Sequence, residues 1–148
     1  MSESLDRDGV MAVLPHRHPF LLVDSVHDLV PGERAVGVKQ VTAEEPWAPG
    51  HFPGNPVMPG VLIAEALAQV AGVIALTANP EYAGQAVYLL GFDKIRFRKP
   101  VRPGDQLELS VTVTSRRRTM WFFEGTATVG GERVADGTFL ATVAAKVA

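Results

Sequence analysis

The chain predicts an α+β fold in which an antiparallel sheet of about six strands wraps one long central helix. Three observations carry this expectation. The segment Gly60–Thr77 is apolar or small on every side, so a helix formed there must be buried almost all round. Residues 107–113 read Leu-Glu-Leu-Ser-Val-Thr-Val, a strict alternation that buries one face of a strand and wets the other. Four strand-like segments follow that helix with only short turn sequences between them, the pattern of an antiparallel meander.

Taken in order, residues 5–14 place Val10, Val13 and Leu14 on one face and end at Pro15, which suits a helix of two or three turns lying across a sheet edge. Residues 20–30 and 34–42 are strand-like and are split by the turn dipeptide Pro31-Gly32. A loop with Pro53, Pro56 and Pro59 comes next; the fixed φ of proline makes it stiff and suggests an extended course. The long helix from about Gly60 to Thr77 is closed by Asn79 as C-cap and by Pro80. Strands are expected at 86–98, 106–116, 119–129 and 133–147, separated by PVRPGD, the run Arg116-Arg117-Arg118 and Gly130-Gly131. About 18 residues at 1.5 Å each span ~27 Å, enough to cross a small domain. Because one sheet covers only one side of such a helix, a second copy of the chain is expected to cover the rest.

With 148 residues, 47% of them apolar, the chain suits a single domain, 1–148, with its own core. The formal charge of −2 gives no global field to recruit nucleic acid. Without cysteine there is neither a disulfide nor a thiolate nucleophile. The opening residues MSESLDRDGV have no apolar core of a targeting peptide, and a cytoplasmic location is expected. The apolar stretch 61–78 approaches membrane-spanning length, but Glu65, Gln69 and its alanine richness argue against a membrane.

The chemistry concentrates in GHFPGNPVMPGVLIAEALAQ, residues 50–69. Glu65 and Gln69, four apart, share one helix face and form its only polar stripe. Burial disfavours the charged form of a carboxyl, so a glutamate flanked by apolar residues is suited to acid–base work; a structural hydrogen bond is the alternative. His51 can act as acid or base near neutral pH. His16, His18 and His27 show that a histidine alone says little, and what distinguishes His51 is its setting between Pro49-Gly50 and Phe52-Pro53-Gly54. No second histidine stands at metal-ligand spacing, so no metal is expected. Gly60 is the first amide after Pro59 at the positive end of the helix dipole, where an N–H can stabilise a developing oxyanion. Phe52, Val57, Met58, Leu62 and Ile63 supply an apolar lining. A base, a second acid–base group and an oxyanion donor suit removal of a proton beside a thioester carbonyl with departure of a hydroxyl, which is dehydration of a 3-hydroxyacyl substrate.

The segments LPHRHPFLLVDSV, GHFPGNPVMPGVLIAEALAQ and FRKPVRPGDQLELSV closely resemble the 3-hydroxyacyl-[acyl-carrier-protein] dehydratases of the FabZ type, over residues 14–143. The resemblance implies a hot-dog fold, working without a cofactor, in dimers that assemble into hexamers as trimers of dimers. It implies His51 as catalytic histidine, Glu65 as the acid supplied across the dimer interface, and the Gly60 amide as the group binding the thioester carbonyl. It also places Phe52, Met58 and Tyr88 along an acyl tunnel. The sequence departs from the family at His18, where tyrosine is more usual, and at Glu44-Glu45, where Asn-Glu is common. The dehydratase/isomerase branch usually carries aspartate in place of Glu65, so glutamate argues for dehydration without isomerisation.

The partner implied is an acidic acyl carrier protein bearing a 3-hydroxyacyl-phosphopantetheine. Lys94, Arg96, Arg98, Lys99, Arg102 and the run 116–118 are candidate docking charges, chiefly Arg96, Lys99 and Arg102. Two other readings compete. A hot-dog thioesterase would use Glu65 to activate water and would leave His51 without a task. A non-catalytic acyl-binding regulator would need a DNA-binding extension, for which the residues before Leu14 are too few.

Overall fold

Alternation at residues 107–113 becomes a strand whose Leu107, Leu109 and Val111 are buried while Glu108, Ser110 and Thr112 face water. The same logic runs through the computed structural model, which describes residues 2–144. The elements are β1 (Glu3–Leu5), α1 (Arg7–Val13), β2 (Ser25–Val30), β3 (Arg34–Gln40), α2 (Gly60–Thr77), a 3₁₀ turn (Pro80–Tyr82), β4 (Ala86–Phe97), β5 (Gln106–Arg117), β6 (Met120–Val129) and β7 (Glu132–Ala144). All pairings are antiparallel, and the spatial order is β1-β2-β3-β5-β6-β7-β4.

The fold is α+β with a sheet round one long helix, and four expectations change in detail. The sheet has seven strands rather than about six. The additional β1, three residues of mixed polarity, is too short to show a period and forms only because Glu3 and Leu5 pair with Leu29 and Val26. The meander holds for β5, β6 and β7, but β4 crosses to the far edge beside β7, leaving β3 next to β5. Residues 20–24 do not form the start of β2, because the Gln69 side chain takes the place of a ladder partner: the Leu22 N–H donates to Gln69 Oε1 (2.8 Å) and Gln69 Nε2 donates to the Phe20 carbonyl (2.6 Å). Asn79 caps the 3₁₀ turn, accepting from the Glu81 N–H at 3.0 Å, and Ala78 closes α2. The expected last strand is seen through Ala144, and its final residues, 145–147, lie outside the described residues.

α2 is long and apolar enough to cross a membrane, yet 67% of it is buried inside this fold, as befits a core helix. Small residues allow the close approach. At Gly37 of β3 an added Cβ would lie 2.4 Å from Val70 Cγ2, so the helix crosses the sheet where no side chain fits. Leu14, at the C-terminal end of α1, packs over Gly72 in the same way. The sheet and α1 of a single chain therefore cover most of α2; between its two ends a stripe of Leu62, Glu65 and Ala68 stays partly open, and Val61 is exposed. The coverage argument for a second copy is corrected accordingly: the apolar surface left open lies mainly on β4. This 12-residue edge strand exposes Tyr88, Leu90, Phe92 and Phe97.

Candidate active site

The proline-rich loop does not run extended. Residues 42–55 fold into successive turns, closed by bonds from the His51 N–H to the Trp47 carbonyl (3.0 Å) and from the Asn55 N–H to the Phe52 carbonyl (2.9 Å). The prolines stiffen those turns, and the chain extends only from Pro56 to Pro59. His51 and Val57 are clamped twice: the Val57 N–H donates to the His51 carbonyl (2.7 Å), and His51 Nδ1 lies 2.7 Å from the Val57 carbonyl. A carbonyl only accepts, so Nδ1 carries a proton, and in the neutral ring Nε2 is then the nitrogen with the lone pair. The imidazole is further held by stacking on Phe52, with ring centroids 4.1 Å apart.

Met58 donates its N–H to the Val101 carbonyl at 2.7 Å, which draws residues 97–101 over the loop. The resulting cleft, about 320 Å³, is lined by His51, Met58, Gly60, Ile63, Phe97 and Lys99 among others. α2 begins in its wall. Pro59 provides no side-chain cap, and the amides of Gly60 and Val61 have no acceptor among the described residues, whereas the Leu62 and Ile63 N–H groups bond the Pro59 carbonyl. The missing Gly60 side chain makes room for Phe97, whose ring carbons would lie 3.0 Å from an added Cβ.

Glu65 occupies a different cavity, with His16, Ala68, Gln69, Val87 and Leu89. Glu65 stands five positions after Gly60, which turns the carboxylate ~140° round the helix axis and ~7.5 Å along it. Within one chain His51 and Glu65 thus face separate cavities. Glu65 Oε2 accepts from Gln69 Nε2 (2.8 Å), the same amide group that bonds the Phe20 carbonyl. His16 Nε2 lies 3.7 Å from that oxygen. Burial pushes the His16 pKa down, Glu65 opposes this, and Arg17 adds to it.

The remaining expected site residues divide. Met58 is buried in the His51 cleft, while Phe52 is half-exposed outside it against the imidazole. Tyr88 is 52% exposed on β4, and neither cavity includes it. Lys99 lines the cleft and pairs with Glu132, and among the described residues Arg96 and Arg102 have no carboxylate at ion-pair distance. Sequence reasoning passed over His16. The available signal was the break at Leu14-Pro15, which turns the chain back onto α2, followed by the apolar run 20–23 that must lie against the polar stripe.

An antiparallel sheet wrapped round one long helix, with a histidine in the loop before that helix and a carboxylate within it, defines a hot-dog protein. Solved structures share the fold: the dehydratase heterocomplex ApeI:P of Xenorhabdus doucetiae has a TM-score of 0.80 at 22% identity, covering 93% of this chain and 91% of that one. A hypothetical thioesterase with coenzyme A from Streptococcus pneumoniae has a TM-score of 0.62 at 17% identity, covering 83% and 87%. The FabA-like domain family matches residues 14–138. The 3-hydroxyacyl-[acyl-carrier-protein] dehydratase FabZ of Myxococcus xanthus is 50% identical over 143 residues, 96% of this chain and 94% of that protein. That of Thermomicrobium roseum is 52% identical over 131 residues, 88% and 87%. The chain belongs to the FabA-like family, in its FabZ branch.

Proposed function

We propose that this protein dehydrates (3R)-3-hydroxyacyl-[acyl-carrier-protein] to the trans-2-enoyl thioester in fatty acid biosynthesis. The observation that carries the reading is the His51 imidazole, its Nδ1–H locked on the Val57 carbonyl, in one cleft with the Gly60 N-terminal amide of α2. The thioester carbonyl accepts from the Gly60 N–H, which stabilises the enolate-like charge. His51 Nε2 removes the proton from C2. The partner's Glu65 gives its proton to the 3-hydroxyl oxygen, the C3–O bond breaks with its electron pair going to that oxygen, and water leaves. The enolate pair forms the C2–C3 double bond and restores the carbonyl. Solvent then takes the proton from His51 and returns one to Glu65. The balance requires neither metal nor cofactor.

The separate cavities of His51 and Glu65 support a composite site built from two copies, two sites per dimer. β4 is the surface for that pairing, since an unpaired, apolar 12-residue edge invites a second strand. Assembly of three such dimers into a hexamer belongs to the same reading, as do a single domain over 1–148 and a cytoplasmic location. Tyr88, exposed on the pairing strand, reaches an acyl tunnel only once the dimer forms, and Met58 lines its inner end. Lys99 at the cleft, with Arg96 and Arg102, would meet the acidic carrier protein, so that the phosphopantetheine arm enters beside Phe97. Glutamate rather than aspartate at 65 fits dehydration without isomerisation.

The test is incubation of purified protein with a 3-hydroxyacyl thioester while both the conjugated enoyl product and free thiol are followed. Enoyl formation is expected; thiol release without it would make the protein a thioesterase, and neither would leave an acyl-binding module. His51→Ala and Glu65→Gln should each reduce kcat at least ~100-fold with the fold intact. A wild-type-like rate removes that residue from the mechanism.

A further inference from the structure

Glu65 can present two oxygens to a substrate, and the surrounding chain treats them unequally. Oε2 accepts from Gln69 Nε2 at 2.8 Å, and Gln69, 1% exposed, is pinned by the Leu22 N–H and the Phe20 carbonyl. An amide NH₂ only donates, so Oε2 must stay an acceptor. His16 approaches the same oxygen from the loop after α1, with Nε2 at 3.7 Å, about half an ångström beyond a closed N–H···O bond. Its other nitrogen, Nδ1, is buried without a partner.

That asymmetry decides the tautomer. A ring lone pair turned toward a carboxylate oxygen repels it, whereas an N–H is attracted to it, and at Nδ1 no group distinguishes the two. The proton therefore sits on Nε2, facing Glu65. Burial, the largest influence, favours the neutral ring; the Glu65 carboxylate opposes it and the Arg17 charge adds to it, and the balance leaves the pKa below the ordinary histidine value. Arg17 itself is tied to the carbonyls of Met11, Leu14 and His16, and β4 and β7 contribute only Val87, Leu89 and Ala141 to this cavity. Glu65 and Arg17 are thus the charged groups that face the imidazole.

We propose that His16 is a positioning residue for Glu65: its Nε2–H and the Gln69 amide together hold Oε2, so that Oε1 is the oxygen that carries and delivers the proton. This rests on the dehydratase reading for its consequence but not for its geometry. His16 makes no contact with the reacting atoms in it; it sets which oxygen faces them.

The two amide replacements separate positioning from filling. A glutamine amide nitrogen reaches the place of Nε2, whereas an asparagine amide nitrogen reaches that of Nδ1. His16→Gln should keep kcat within about threefold of wild type, and His16→Asn should lower it about tenfold, both with KM within about twofold. Equal kcat in the two variants would reduce His16 to a space-filler and overturn the proposal. Nitrogen-15 spectra of the His16 ring give a readout free of turnover. The neutral ring should carry its proton on Nε2 in the wild type and should lose that preference in Glu65→Leu. A ring whose tautomer is the same in both refutes the assignment even if the protein dehydrates nothing, while a preference lost with no dehydration refutes only the reaction.

Discussion

Replacing Gly37 by alanine tests whether α2, which carries both the Gly60 amide and Glu65, is held by direct contact with β3. The new Cβ would lie 2.4 Å from Val70 Cγ2, against an optimum of about 3.5–4.0 Å for carbon pairs, a deficit of roughly 1.1 Å or more. It cannot slide aside, because Val23 Cγ1 and Leu109 Cβ would stand at 3.4 and 3.6 Å. Val70 is fully buried and, as a β-branched helical residue, has essentially one χ1 well, so it cannot turn away. The helix must lift instead. Overpacking of this kind costs about 1–3 kcal/mol, and the depth of the clash places it near 3. At ~2–4 °C per kcal/mol for a chain of this size, Tm should fall by roughly 6–12 °C. Val70→Ala alone removes two methyl groups, a loss of about 2 kcal/mol. In the double variant the methyl introduced on β3 takes the vacated space, so the total should be about 2 rather than 5 kcal/mol, a coupling of about 3. Urea unfolding at fixed protomer concentration measures all four corners of the cycle. Additive losses, or a Gly37→Ala protein within about 0.5 kcal/mol of wild type, would refute the contact argument. Dehydratase kcat should fall in Gly37→Ala and recover in the double variant, because the helix returns with Gly60 and Glu65.

Glu45 is buried with Lys39 (Nζ–Oε2 3.1 Å) and also accepts from the Thr42 N–H and hydroxyl. Glu45→Ala strands a buried ammonium and should cost about 3–5 kcal/mol in urea unfolding, and Glu45→Gln, which retains an acceptor, should cost less. Stability should also depend on pH in two windows. The His16 pKa is lowered in the folded chain, so the unfolded chain binds its proton first, and Tm should be level above about 6.5 and decline as pH falls below it. Asp136 is held below the usual carboxylate range by its bond to Arg98, so its contribution is present above about pH 4 and lost as pH falls further. A Tm profile of His16→Asn that keeps the first decline would contradict the burial argument. For carrier docking, Arg96→Glu or Arg102→Glu should weaken turnover of the carrier-bound substrate and spare a free pantetheine thioester; equal loss on both substrates excludes these charges from docking.

Much of the fold was legible because its signals are local. α2 begins at Gly60 and ends at Thr77 as its composition suggests, since Pro59 cannot extend a helix inward and the apolar run allows nothing but burial. The bounds of β5 follow from its alternation, and those of β6 from its turn residues. β1 was illegible for want of length. The loss of strand at residues 20–24 was illegible for a different reason: the competing partner, Gln69, is 47 positions from Leu22, and no window along the chain contains both.

The site divides along the same line. Residue types and spacing mark His51, Gly60 and Glu65 as candidates, because proline-set loops and helix starts impose their geometry within a few residues. Only the folded chain decides that His51 is tautomerically locked by Val57, that Glu65 faces a second cavity, and that His16 stands beside it. Those facts depend on how far a helix rotates between two positions and on contacts between segments tens of residues apart. Local pattern sets what each segment becomes, and packing sets what it touches.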